Sequence, residues 1–219
     1  MAANVEREKE LAAVAAAQLV ESGMAVGLGT GSTVAYLLPA LGARQLDVTC
    51  VSTSPATTAL AEAHGLHVVP FERLDRLDVA IDGADQVDPD GWLVKGGGGA
   101  HTREKIVAAA ADRFVVIASS NKLVDRLHPP VPIELERFGL PATLRSLPDV
   151  TLRNGASVTP DGGVLADYYG PIDDPAQLAS HLSALPGVVA HGLFPPTMVD
   201  RVLVGRGEQV EVIEIRPPG

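Results

Sequence analysis

Asp82 to Lys105 reads DGADQVDPDGWLVKGGGGAHTREK, and the reading of this stretch decides that of the whole chain. It follows Leu77-Asp78-Val79-Ala80-Ile81, whose apolar, β-branched content predicts a buried strand. It opens into Glu104 to Ala111, an alanine-rich run that predicts a helix. Between the two stand several carboxylates, the lone Lys95 and four glycines in a row, Gly96 to Gly99. Unpaired carboxylates are costly in a core, and consecutive glycines lose much backbone entropy on folding. Such a composition serves a site better than a scaffold.

Outward from this stretch, the flanks repeat the same rhythm. Towards the N-terminus, Glu6 to Glu21 predicts an amphipathic helix and Met24 to Leu28 a strand. Gly29-Thr30-Gly31-Ser32-Thr33 then leads into a helix over Val34 to Leu41. A strand, a glycine-rich turn and a helix aim backbone N–H groups and a helix dipole at an anion. The dinucleotide fingerprint and the Walker pattern both fail here, because Ser32 or Val34 stands where a glycine is required and no lysine follows. Strands over Asp47 to Ser52, Leu66 to Val69, Asp78 to Ile81 and Phe114 to Ala118, with a helix over Ala56 to His64, complete a parallel α/β pattern. Ligands gather at the carboxyl ends of such strands. Four polar clusters fall there: Gly29 to Thr33, Ser52 to Ser54, Asp82 to Asp85, and Ser119 to Lys122.

Beyond His128-Pro129-Pro130-Val131-Pro132 the rhythm changes. Strands over Ile133 to Leu135, Val150 to Arg153 and Val164 to Tyr168, and a helix over Pro175 to Leu185, predict a smaller α+β unit. Arg201 to Gly205 and Val210 to Ile215 are strands that rejoin the first sheet. The expected organisation is therefore an α/β unit with a parallel sheet, residues 1–127 plus about 201–219, and a smaller α+β unit, about 128–200.

Composition narrows the function classes. Hydrophobic content of 46% and charged content of 20% are those of a globular protein. A net charge of −10 argues against nucleic acid, which wants basic stripes. No apolar run approaches a membrane span, the N-terminus lacks signal-peptide character, and the lone Cys50 fits a reducing compartment. A cytoplasmic protein is expected.

Within the opening stretch, Glu104 is a candidate base, with Lys95 and the amides of Gly96, Gly97 and Gly98 placed to hold an oxyanion. That set suits proton abstraction beside a carbonyl. Asp82 and Asp85 add acid–base capacity. Several blander readings compete. Asp82 to Asp85 could be a capped turn, Glu104 a solvated charge beside Arg103 and Lys105, and Lys122 a surface lysine. A calcium loop fails because Gln86 and Gly97 occupy the positions that need carboxylates.

Taken together, the chain resembles ribose-5-phosphate isomerase of the A type over nearly its whole length. Gly27 to Thr33, Asp82-Gly83-Ala84-Asp85, Lys95 to Ala100 and Thr102-Arg103-Glu104-Lys105 carry the resemblance, with Ser120-Asn121-Lys122 in support. It implies interconversion of D-ribose 5-phosphate and D-ribulose 5-phosphate through an enediolate, in the non-oxidative pentose phosphate pathway, without metal or organic cofactor. It implies Glu104 as the proton shuttle, Lys95 with the glycine amides as oxyanion stabiliser, Asp82 for ring opening and Asp85 beside the sugar. Thr30, Gly31, Ser32, Thr33 and Lys122 would hold the phosphate end, with Gly83 and Ala84 lining the site and Lys9 a looser candidate. A homodimer or homotetramer is implied, with a sugar phosphate as the partner molecule and no nucleic acid or membrane. Thr159-Pro160-Asp161-Gly162-Gly163 departs from the turn usual in that family. A non-catalytic sugar-phosphate sensor is the rival reading, and it would not need Glu104 and Lys95.

Overall fold

The computed structural model describes residues 2–154 and 158–215, with the backbone alone for residues 2 and 3. The outermost parts assigned to the larger unit, residue 1 and residues 216–219, lie outside it, as do residues 155–157 of the smaller one.

A seven-stranded sheet forms the frame. It contains β1 (Ala25–Leu28), β2 (Thr49–Ser52), β3 (His67–Val68), β4 (Leu77–Gly83), β7 (Ala111–Ser119), β13 (Arg201–Arg206) and β14 (Gln209–Glu214), in the order β14-β13-β7-β4-β1-β2-β3. All neighbours run parallel except the β13–β14 pair. Residues alternate between the sheet's two faces, so each strand feeds two cores. In β4, Val79 and Ile81 join the core formed with α1 (Ala2–Ala17) and α2 (Val34–Gly42). Ala80 joins the opposite core, which includes Val107 of α4 (His101–Ala109).

The strand order locates the site. From β1 the chain moves outward to β2 and β3, then crosses back to place β4 on the other side of β1. The carboxyl ends of β1 and β4 therefore flank a topological switch point, where open α/β sheets leave a crevice. Gly29 to Thr33 leave one strand there, and Asp82-Gly83 form the end of the other. α3 (Pro55–Ala63) begins close by; Ser54 caps it by accepting the Thr57 N–H at 3.1 Å, and Pro55 pre-sets its first turn.

A second, antiparallel sheet has the order β11-β8-β10-β9, from β11 (Val188–His191), β8 (Val131–Leu135), β10 (Val164–Tyr168) and β9 (Val150–Leu152). α5 (Leu140–Arg145) and α6 (Pro175–Ala184) accompany it, and Ile133, Leu135, Leu147, Ala166 and Leu182 fill its core. A three-stranded sheet, β12-β6-β5, ties the two sets together: β12 (Leu193–Phe194) pairs with β6 (Leu93–Val94), which pairs with β5 (Gln86–Val87).

Several elements differ from the expected bounds. The first helix ends at Ala17 rather than Glu21. The chain tightens there to i→i+3 bonds, Leu19 N–H to the Ala16 carbonyl at 3.0 Å and Val20 N–H to the Ala17 carbonyl at 3.3 Å. The Arg44 guanidinium also donates to the carbonyls of Ala17 and, at 2.7 Å, Val20. The helix carrying Glu104 starts earlier, at His101, and Ala111 belongs to β7. The Arg137 to Asp149 segment holds α5, with Pro141 in its first turn. Asp82 and Gly83 are strand residues, paired with Val116 and Ile117.

Candidate active site

A cavity of about 280 Å³ opens at the switch point. Its size lies at the low end for ligand pockets and suits a small molecule. Of the residues assigned to substrate from the sequence, Thr30 to Thr33, Gly83 to Asp85, Lys95 to Gly98, Glu104 and Lys122 all line it. Asp82 stands directly behind the lining, while Lys9 does not line it and pairs with Glu6 on α1 at 2.7 Å. A larger groove of about 1080 Å³ lies elsewhere, along Phe71, Arg103, Glu134 and Val189. Glu62, Glu72, Glu134, Glu136 and Asp161 make that groove acidic, and its Arg103 is paired with Asp161 at 2.7 Å. It does not suit an anion.

Three buried charges form the centre of the smaller cavity. Lys95 Nζ lies 2.8 Å from Asp82 Oδ2 and 3.2 Å from Glu104 Oε2, and all three residues are at most 5% exposed. The ammonium also donates to the Gly83 carbonyl, and its far side faces the Phe194 ring at 5.5 Å. Two carboxylates thus compete for one cation. Burial pushes the Glu104 carboxyl up to about 8, the nearby Asp82 charge adds to this, and Lys95 opposes both without cancelling them. Asp82 is likewise raised by burial, against the opposing Lys95 charge and the amides of Gly83 and Thr30. Burial pulls Lys95 down, but the two carboxylates outweigh it and hold the ammonium protonated. The reading of Glu104 as a solvated surface charge is thereby overturned.

Asp82 also reaches the second loop. Its Oδ1 accepts from the Thr30 N–H at 3.1 Å and the Gly83 N–H at 2.7 Å. Gly29 has no alternative here, since a Cβ would lie 1.9 Å from that oxygen. The Thr30 hydroxyl, expected at the mouth of the pocket, instead meets the hydroxyls of Thr53 at 2.8 Å, Ser54 at 2.9 Å and Thr57 at 3.1 Å. It braces the loop against α3. Thr33, the N-cap of α2, makes no side-chain cap bond to it.

The glycine run folds back over the opposite wall. Gly96 has φ +101°, and a Cβ there would also strike the buried His101 ring, 2.7 Å from its Nδ1. The Gly97 N–H donates to Asp85 Oδ2 at 2.8 Å, so Asp85 holds the glycine loop. Lys122 sits in a 3-10 turn after β7. That turn is fixed by a residue the sequence did not single out: Glu8 of α1 accepts from the Ser120 N–H at 2.9 Å and its hydroxyl at 2.7 Å, and from the Gly207 N–H at 2.9 Å. Among the described residues, no group of three or more His, Cys, Asp or Glu is placed to hold a metal ion, and no helix is long and apolar enough to cross a membrane.

Comparison with known proteins gives this geometry its relatives. Residues 49–209 match the family model of ribose 5-phosphate isomerase A (phosphoriboisomerase A). The ribose-5-phosphate isomerase A of Rhodopseudomonas palustris (strain HaA2) is 44% identical over 92% of this chain and 95% of its own length. That of Halobacterium salinarum (strain ATCC 29341) is 46% identical over 95% and 96%. A D-ribose-5-phosphate isomerase solved in complex with phospho-erythronic acid superposes with a TM-score of 0.91, at 38% identity over 96% of this chain and 99% of the other. The ribose 5-phosphate isomerase A from Methanocaldococcus jannaschii gives 0.89 at 36% identity, covering 94% and 97%.

Proposed function

The chain belongs to the ribose 5-phosphate isomerase A family and interconverts D-ribose 5-phosphate and D-ribulose 5-phosphate, and we propose that it does so through an enediolate with Glu104 as the proton carrier. The phosphate end lies against Ser32, Thr33 and the amides at the start of α2, with Lys122 opposite. Asp82 assists opening of the sugar ring. In the open aldose, Glu104 takes the proton from C2; the electron pair forms the C1–C2 double bond, and O1 becomes an oxyanion. Lys95 and the glycine amides hold that charge. The proton held by Glu104 is then delivered to C1, the O2 proton passes to O1, and C2 becomes the ketose carbonyl. Asp85 fixes the glycine loop beside the sugar hydroxyls.

The observation that supports this most is the pair of carboxylates sharing Lys95 at 2.8 and 3.2 Å in a buried pocket. A carboxyl pushed up to about 8 accepts and returns protons near neutral pH. A pure binding module has no use for it. The proposal includes, as the resemblance implies, a homodimer or homotetramer and a division into a Rossmann-like and a smaller α+β unit, and, as the composition suggests, a cytoplasmic location.

The test is an assay of ribulose 5-phosphate formation from ribose 5-phosphate with the wild-type chain and Glu104→Gln. The variant is expected to fold, bind the sugar and lose about 10³-fold in kcat. Near-normal turnover would remove Glu104 from the base role.

A further inference from the structure

The glycine run is gripped from the side away from the cavity. Arg153 follows β9, and its guanidinium makes a two-point pair with Asp167 of β10, Nε to Oδ2 at 2.8 Å and Nη2 to Oδ1 at 2.7 Å. Its remaining reach is spent on the glycine loop: Nη1 donates to the Gly97 carbonyl at 3.1 Å and Nη2 to the Gly96 carbonyl at 3.2 Å. A trans peptide unit is planar, with its C=O and N–H pointing in opposite directions. Turning the Gly96 carbonyl to Arg153 therefore turns the Gly97 N–H away, and that N–H is the one that meets Asp85 at 2.8 Å. By the same geometry the Gly98 N–H points away from Arg153, to the side on which Gly98 and Asp85 line the cavity.

We propose that Arg153, which does not line the cavity, is a positioning residue for the isomerisation. Aimed by Asp167, it sets the orientation of the two peptide units whose amides face Asp85 and the substrate. This rests on the reading of the Gly98 amide as an oxyanion donor, with Asp85 held by that of Gly97. The fork shape of the group matters as much as its charge, because a lysine ammonium cannot serve a carboxylate at two points and two carbonyls together. Glycines have no side chain to lock such a loop, so an outside clamp supplies the order that four of them lack. The loop joins the three-stranded sheet to α4, while the clamp comes from the antiparallel sheet, so the second sheet takes part in catalysis at a distance.

The experiment compares wild type with Arg153→Ala, Arg153→Lys and Asp167→Asn. It measures kcat and KM for ribose 5-phosphate, inhibition by phospho-erythronic acid, and thermal melting. A misplaced donor acts on the transition state more than on the bound sugar, so Arg153→Ala is expected to lose about 10²-fold in kcat with KM nearly unchanged. Arg153→Lys and Asp167→Asn should each lose about tenfold, since each breaks the fork while keeping a cation. Inhibition should weaken in step with kcat/KM, because the inhibitor's carboxylate presents adjacent charged oxygens like those of an enediolate. A folded Arg153→Lys or Asp167→Asn with wild-type kcat would overturn the inference, as would losses that merely follow the unfolded fraction or fall on KM alone. If wild type itself fails to isomerise the sugar, the proposed reaction falls. If wild type isomerises, Glu104→Gln does not and the clamp variants match wild type, only the role of Arg153 falls.

Discussion

Glu8 and Glu104 are both carboxylates hidden from solvent, at 2% and 5% exposure, and they behave in opposite ways. Around Glu8 stand neutral donors, the N–H and hydroxyl of Ser120 and the N–H of Gly207. Burial pushes its pKa up, but those donors, with the Arg206 charge, outweigh it and hold the carboxyl below its usual range. Around Glu104 the balance reverses. Burial and the Asp82 charge both push up, and the Lys95 ammonium beside it is shared with Asp82. Donors fixed on a carboxylate make it a permanent anion and a structural pin. A shared counter-ion leaves protonation finely balanced, which is the condition a proton shuttle needs.

The contrast can be broken most visibly by pH. If Glu104 is the base, as proposed, a carboxyl with a pKa of about 8 must be ionised to act, so kcat/KM should rise about tenfold per pH unit below that value and level off above it. A profile flat from about pH 6 to 9 would remove the contrast. A smaller effect belongs to Glu8→Gln, which sets an NH2 against at least one of the buried donors. The cost should be about 2 kcal/mol at neutral pH, read from urea unfolding. The folded pKa of Glu8 is depressed below 4.5, so its advantage is present above that value and disappears as pH falls through the folded pKa. A gap between wild type and variant that stays constant into acid would contradict this. A third effect is in melting of Glu104→Gln. Because the folded pKa of Glu104 is raised, the wild type loses stability as pH climbs from 4.5 to about 8, and Gln does not. The variant should gain on the order of ten degrees over wild type at pH 9 relative to pH 5.5. An equal difference at both values would place Glu104 in a solvated setting.

The same two residues mark what could be read from sequence. The turn Gly29 to Thr33, Asp82 to Asp85 and Lys95 to Gly98 were legible because their composition makes no sense in a core, and the strand pattern put them at one rim. Glu8 carries no such mark. In a helix with Glu6 and Glu10 beside it, it reads as one more surface charge, and its partners Ser120 and Gly207 are remote in the chain. Arg153 was hidden for the same reason, being set by a pairing of β9 with β10. β5, β6 and β12 span two residues each, too short for any periodicity to show. The start of α4 at His101 was missed because Ala100 offers no side-chain cap to signal it. The Thr30 hydroxyl was assigned to the ligand, but Thr53, Ser54 and Thr57 were already waiting for it.

Asp82 touches both ends of the site through its two oxygens, the Thr30 amide at 3.1 Å on one and Lys95 at 2.8 Å on the other. With no room beside it for a Cβ on Gly29, the Gly29–Thr33 turn, proposed above to hold the phosphate, and Lys95, proposed to hold the oxyanion, are spaced by a single side chain. In the proposed reaction that spacing would act as a ruler for sugar length. Engineering the enzyme toward a shorter or longer phosphorylated sugar would therefore mean moving the whole β4 terminus, because reshaping either loop alone would pull the other out of alignment.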